Sequence, residues 1–398
     1  MGVNKKLGIR PVCWVSALYF ILLPLTISTN ETSNSYLKLA TIPIGLFLFI
    51  SLFFYKGKLN INIVHVFLVL YTLSLPLTLM TDPSMRAISA VFGYFLNCAL
   101  FVCISIFDYK DKELKLLENA QILMLICICA ITLFENVGQT ERGTITIFGD
   151  ACDPNYFVGF FIFPLTIVLK NIADSKWRWK IPNIILSLIT LYIIFLSGSR
   201  GGLLAVGITV LAFVFIYPKG ITKKIIITAG VISLAILTWV VAKPILPELV
   251  VERMNIADVI ESRGTYRMDI WEQAIDEIVN ESEYVILGRG IDARIDMIIA
   301  GKYTTEALHS AFLQIAYGQG MLGFVLFLLL AGACILRCIK KQKIIVVAVI
   351  GMLALGISLS FNASTKTYWN LICYAALPFV TEACSEDVKI EEEKINET

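Results

Sequence analysis

Apolar residues in this chain fall in long runs, at about 11–28, 37–55, 61–80, 88–107, 117–134, 156–169, 181–197, 202–217, 225–246, 310–336, 344–361 and 367–383. Most approach the ~20 residues that a helix needs to cross ~30 Å of hydrocarbon. They predict an all-α polytopic membrane protein with about twelve transmembrane helices. The run at 310–336 is long and holds Gly318, Gln319, Gly320 and Gly323. It reads as a short dipping helix followed by a full span, since irregular backbone survives at membrane depth only where protein or a cavity surrounds it. One stretch, 247–308, breaks the apolar pattern after Pro244 and Pro247. Within it, Thr265–Asn280 puts Ile270, Ala274, Ile275 and Ile278 on one side, as an amphipathic helix lying over the membrane domain would. The expected organisation is a membrane domain over 1–246 with nine spans, a loop over 247–308, three further spans over 309–384 and a solvated acidic tail over 385–398. Met1–Arg10 is too polar, and the run after it too long, for a cleaved signal peptide, so an uncleaved first span is expected.

Composition agrees with this pattern. The chain is 57% apolar and 16% charged over 398 residues, with mean hydropathy +0.78, whereas a globular chain is nearer a quarter charged. A soluble dinucleotide-binding enzyme, a collagen, a disordered chain and a disulfide-stapled secreted domain are all excluded. The net charge of +2 does not suggest nucleic acid, because charge in such a protein is sorted by side. Alternate connections hold nineteen basic residues, from Lys5, Lys6 and Arg10 through Lys56, Lys110, Lys176 and Lys223 to Arg337 and Lys343. The intervening short connections hold Lys38, Arg86, Arg142, Arg200 and Lys366. The split predicts both termini in the cytoplasm and the 247–308 loop outside it. The ten cysteines then lie mostly in spans or near the cytoplasmic side, and read as small core hydrophobes.

Arginine and lysine are sorted too. The nineteen cytoplasmic-side basic residues are sixteen Lys and three Arg, whereas the outer side carries Arg86, Arg142, Arg200, Arg253, Arg263, Arg267, Arg289 and Arg294 against four Lys. Topology needs only charge, but the arginine fork binds phosphate or carboxylate bidentately and keeps its proton when desolvated. An anionic ligand, phosphate first, is the reading. For Arg253 and Arg294, pairing with Glu252, Asp258, Asp292 or Asp296 on the loop surface is the favoured reading. Arg200 sits in Ser197-Gly198-Ser199-Arg200-Gly201-Gly202, where glycine lets backbone N–H groups approach an anion and a helix N-terminus follows. Arg263 and Arg267 share a helical face if the helix starts early enough. His309, opening the run after the loop, is the candidate general base. His65 lies among apolar neighbours and reads as a satisfied buried histidine. Asp153-Pro154-Asn155 precedes a span, and helix capping explains it as well as sugar binding does.

Three stretches in order, Asp153-Pro154-Asn155, Ser197–Gly202 and His309-Ser310 with the glycines through Gly323, make the chain resemble the bacterial O-antigen ligase and O-antigen/capsule polymerase (Wzy-type) superfamily. Arg263-Gly264-Thr265-Tyr266-Arg267 before Trp271, and Gly288-Arg289-Gly290 after it, fit the same pattern. The resemblance implies a GT-C-like membrane glycosyltransferase acting on an undecaprenyl-diphosphate-linked oligosaccharide, without metal or other cofactor, at the outer face of the cytoplasmic membrane. It makes Arg200 with Arg267 or Arg263 the diphosphate clamp and His309 the base. Ser199, Arg289, Asp153 and Asn155 join them as substrate contacts. Membrane lipid, a chain-length regulator and a flippase are the partners it implies, and nucleic acid is not one. The acceptor stays open between another lipid-linked repeat unit, as in a polymerase, and lipid A core, as in a ligase; the polymerase is favoured. A transporter for the same lipid-linked sugars is the rival class, but it should carry ionisable groups along a midplane path. The spans hold few, chiefly His65 and Glu118.

Overall fold

The computed structural model describes residues 9–26, 31–135, 145–147, 150–253, 266–299, 302–363 and 365–379. Helices dominate: α1 Pro11–Leu22, α2 Glu31–Phe54, α3 Ile63–Ser74, α4 Met85–Ser105, α5 Asp111–Glu135, α6 Pro154–Asp174, α7 Trp177–Leu196, α8 Arg200–Ile216, α9 Ile221–Ala242, α10 Glu248–Arg253, α11 Arg267–Asn280, α12 Ala311–Cys338, α13 Lys343–Leu355 and α14 Lys366–Ala376. Among the described residues, six are long and apolar enough to cross a membrane: the α3 segment extended to Met80, α4, α5, α6, α9 and α12. Five further apolar helices run 10–17 residues. The last expected span forms only the 11 residues of α14, about 17 Å at the helical rise, too short to cross alone.

The helices have two distinct ends. At one, Arg10 pairs with Glu113 (2.5 Å), the Asn60 and Asn62 amides donate to the Ala376 carbonyl (2.7 and 2.8 Å), and Arg337 caps α14 through the Ala375 and Leu377 carbonyls. Lys170 meets Glu118 there too (2.6 Å). This is the lysine-rich end. His65 belongs to it and is satisfied as expected, with Nδ1 accepting from the Asn62 N–H and Nε2 bonded to Ser105 Oγ (2.9 Å). At the opposite end lie the N-termini of α6, α8 and α12. Helix α6, apolar all round in Phe157–Val168, is buried along that stretch among α5, α7, α8 and α13, as a helix without a polar face must be. Helix α9 is peripheral, with Ile225, Ile232, Ile236 and Val240 exposed. Between them, Phe361 gathers Tyr71, Tyr94, Phe327, Tyr368 and Trp369 at centroid distances of 5.2–5.9 Å.

Two small antiparallel hairpins correct the all-helical expectation: β1 Ile145–Ile147 with β2 Asp150–Cys152, and β3 Ile295–Ile299 with β4 Lys302–Glu306. In β3, Ile295 and Met297 face inward while Asp296 and Ile298 face out, the two-residue alternation of a half-buried strand. The amphipathic helix forms as α11, but its buried face is corrected. Ile270 and Ala274 are buried with Trp271 and Ile278 packed beside them, and Ile275 is half exposed. The nine described cysteines are free thiols. The acidic tail lies outside the described residues.

Helix α12 breaks where expected. Gly320 has φ 66° and ψ −174°, which divides the helix into a short first part and a long second one. The break leaves backbone groups without helical partners, and the loop supplies them. Arg289 N–H donates to the Tyr317 carbonyl (3.0 Å), Gly290 N–H to Gly318 (2.9 Å), and Met321 N–H to Val285 (2.8 Å). Glycine is required on both sides: a Cβ on Gly320 would sit 2.2 Å from the Ile286 carbonyl oxygen, and one on Gly288 would sit 2.4 Å from the Gly318 carbonyl.

Candidate active site

Three helix starts meet at the end opposite the lysines. Asp153 caps α6, its Oδ1 accepting from the N–H groups of Asn155 and Tyr156 (both 2.9 Å). Asn155 is buried, and its Oδ1 accepts from the Ser199 hydroxyl (2.6 Å). Ser199 in turn caps α8, accepting from the Gly202 N–H (2.9 Å). Gly198, at φ 61°, makes the turn before it. Gly201 lets the α13–α14 connection close in, since a Cβ there would stand 2.1 Å from Ser358 Oγ. The oxygens of Asn155 and Ser199 thus join α6 to α8. Arg200, the first residue of α8, is part-exposed at that junction.

His309 does not start α12 but precedes it, with Ser310 as the N-cap. Its φ is 49°, in the left-handed region that costs a non-glycine residue about 1–3 kcal/mol. Both flanks hold it there. The Leu308 carbonyl accepts from Trp271 Nε1 of α11 (2.9 Å), and the Ala311 N–H donates to the Gly356 carbonyl of the α13–α14 connection (2.7 Å). Burial pushes the imidazole pKa below its usual value, and the positive charge of Arg267 pushes the same way, with Arg294 adding to it; Asp153 and Glu306 oppose them. The ring is therefore neutral at neutral pH, the form a general base needs.

Arg267 is the first residue of α11 and follows Tyr266, whose φ is 63°. His309 and Tyr266 are the two non-glycine residues with positive φ among the described residues. Asp153, Arg267 and His309 are thus brought within one electrostatic field. Arg289 is placed otherwise: it pairs with Glu281 (2.6 Å) and Glu277 (3.5 Å), and its guanidinium stacks over Tyr284 and Tyr317 at 4.7 and 4.5 Å. Its described partners make it a strut between the loop and α12. Arg86 pairs with Asp292 (3.2 Å). Arg263 and Arg142 lie outside the described residues.

Sequence reasoning missed Glu306, Ser358 and Gly356. Glu306 ends β4 and was hidden with the hairpin; Ser358 and Gly356 come from the last connection, some 46 residues beyond Ser310 (3.4 Å, Ser310 Oγ to the Gly356 carbonyl). Arg294 is exposed, and neither Asp292 nor Asp296 forms the surface pair considered for it: the first takes Arg86 and the second accepts from the Thr305 hydroxyl (2.6 Å).

Residues 185–328 match a protein-family model, Wzy_C, described as O-antigen ligase. An uncharacterized protein of Haemophilus influenzae is 25% identical over an alignment of 204 positions that covers 47% of this chain and 50% of that protein. The chain thus spans about half the length of the curated relative it matches. The family match covers the segment that holds Arg200, Arg267, Arg289 and His309, and it supports the O-antigen ligase/polymerase superfamily as the one the motifs of this chain resemble.

Proposed function

We propose that this protein transfers glycan between lipid-linked oligosaccharides at the outer face of the cytoplasmic membrane, as an O-antigen or capsule polymerase that needs no metal. The observation that carries the reading is the pair of strained residues. His309 is held in the left-handed region by contacts from α11 and the α13–α14 connection, Tyr266 beside Arg267 shares that conformation, and the charge of Arg267 acts on the imidazole. Backbone strain that a fold maintains in this way clusters at functional sites. In the proposed reaction an acceptor hydroxyl attacks the anomeric carbon of the donor sugar. One ring nitrogen of His309 takes the hydroxyl proton as the new C–O bond forms. The bond from the anomeric carbon to the diphosphate oxygen breaks, and its electron pair leaves with the diphosphate. Arg200 and Arg267 stabilise the charge growing there, helped by the N-termini of α6 and α8.

The family description, O-antigen ligase, favours a second reading in which the acceptor is lipid A core. Purified protein supplied with undecaprenyl-diphosphate-linked repeat units, with and without lipid A core and in the presence of EDTA, separates the two. Longer lipid-linked glycan in the absence of lipid A core is the expected product. Product only on lipid A core transfers the assignment to a ligase. His309→Ala should reduce transfer about 10²–10⁴-fold while donor binding persists; near-normal product from that variant overturns the mechanism.

A further inference from the structure

The connection between α13 and α14 carries a polar corner that this reaction does not use. Both helices are short, at 13 and 11 residues, so the irregular backbone between them lies inside the bundle. Tyr94 donates to the Phe361 carbonyl (3.0 Å) and Asn97 to that of Ala363 (2.7 Å), and both donors stand in the interior of α4. Asn97 is eight residues from the Ser105 end of α4, about 12 Å along the axis. Lys366 reaches the same residue, Nζ donating to Asn97 Oδ1.

The next residue turns toward α6. Thr367 Oγ1 lies 3.1 Å from where a Cβ on Gly159 would be, five residues or about 8 Å in from the start of α6. Thr367 is 6% exposed, and its hydroxyl has no hydrogen-bond partner among the described residues. Thr365, at the N-cap of α14, makes no side-chain cap bond. An ammonium and irregular backbone at this depth are tolerated where protein encloses them or water reaches them, and Lys366 is part-exposed. A cation, an uncapped helix start and an orphan hydroxyl form a corner suited to an anion. The same connection supplies Gly356 to the His309 flank and Ser358 to Gly201. Ten residues of chain, from Gly356 to Lys366, thus join the corner to the candidate cluster.

We propose that Lys366, the Thr367 hydroxyl and the N-terminus of α14 bind a phosphate group carried by a membrane lipid. Resting on the reading above, that group is the lipid-proximal phosphate of the donor, with Arg200 and Arg267 on the sugar-proximal one. The test uses full-length protein in phosphatidylcholine nanodiscs, with equilibrium binding of sugar-free undecaprenyl diphosphate and, separately, of phosphatidylglycerol. Lys366→Met should weaken undecaprenyl diphosphate binding about tenfold or more, and Lys366→Arg by about threefold or less, with thermal unfolding unchanged. A loss confined to phosphatidylglycerol keeps a lipid-phosphate corner but overturns its assignment to the donor. Equal binding of both lipids by wild type and Lys366→Met overturns the proposal. If the Met variant does not fold, the wild type suffices: saturating undecaprenyl diphosphate should protect Lys366 from a water-soluble acylating reagent, read by mass spectrometry against Lys243. Absence of protection is again fatal. Binding is read without turnover, so an inert His309→Ala protein that retains the Lys366 effect separates failure of the transfer reading from failure of this one.

Discussion

Gly320→Ala should release the loop around Ile286–Gly290 from α12. The backbone there, φ 66° and ψ −174°, is a conformation open essentially to glycine. A Cβ would meet the Ile286 carbonyl oxygen at 2.2 Å and the Gly288 nitrogen at 2.6 Å. Both obstacles are backbone, so neither can swing aside as a side chain would. Relief means moving 286–288 away, which breaks bonds such as Met321 N–H to Val285 and Gly290 N–H to Gly318. The conformation costs about 1–3 kcal/mol and two lost hydrogen bonds about 1 kcal/mol each, roughly 3–5 kcal/mol together. At 1.36 kcal/mol per tenfold, the undocked population rises roughly 10²- to 5 × 10³-fold. Trypsin reads that population at Arg289, whose side chain is 14% exposed and stacked between two tyrosines in the docked loop. Cleavage tracks the open population when closing is fast. Gly332→Ala, in the same helix with no atom within 4 Å of the added Cβ, is the control. Cleavage of the Gly320→Ala protein at Arg289 within about threefold of that control would refute the reasoning.

Arg200→Lys keeps the charge and loses the fork, so transfer per folded protein should fall roughly 10- to 150-fold; full activity with lysine means charge alone suffices. The base works deprotonated, and its pKa is held below 6.5, so wild-type kcat/KM should persist as pH falls below that value. Arg267→Gln removes one cause of the depression and should move the acidic limb to higher pH, whereas Asp153→Asn should move it lower; limbs that do not move show that His309 is not the titrating base. A cysteine at Tyr303, 71% exposed at the hairpin, in a background without the native thiols, should label with an impermeant reagent from outside the cell, and labelling only from the cytoplasmic side reverses the proposed orientation.

Long apolar runs were legible because a helix in hydrocarbon must satisfy its own backbone, which forces a length on the sequence. The break at Gly320 was legible for the same reason, since Gly318, Gln319, Gly320 and Gly323 cluster within six residues of a long apolar run. For Arg289, a sequence shows that an arginine is present in a loop, not that Glu277, Glu281, Tyr284 and Tyr317 converge on it. The β3–β4 hairpin has no such signal: its two-residue alternation spans only five residues a strand within a long polar loop. Ile275 followed from counting apolar residues on a helical face, when the partner surface admits Ile270, Trp271, Ala274 and Ile278.

The site itself divides along the same line. Residue types marked Arg200, Arg267 and His309, because a phosphate needs fixed positive charge and a proton needs a base. What residue types do not carry is the conformation in which the fold holds these candidates. His309 is left-handed because Trp271, 38 residues earlier in the chain, holds the carbonyl before it, and Gly356, 47 residues later, holds the N–H two residues after it. Neither contact has a local signal. The strain at His309 exists only once the loop has docked on α12 and the α13–α14 connection has closed over Gly201. A loop released by Gly320→Ala should therefore lower transfer even with every candidate catalytic residue intact, because the base would relax out of the conformation that the docked loop imposes.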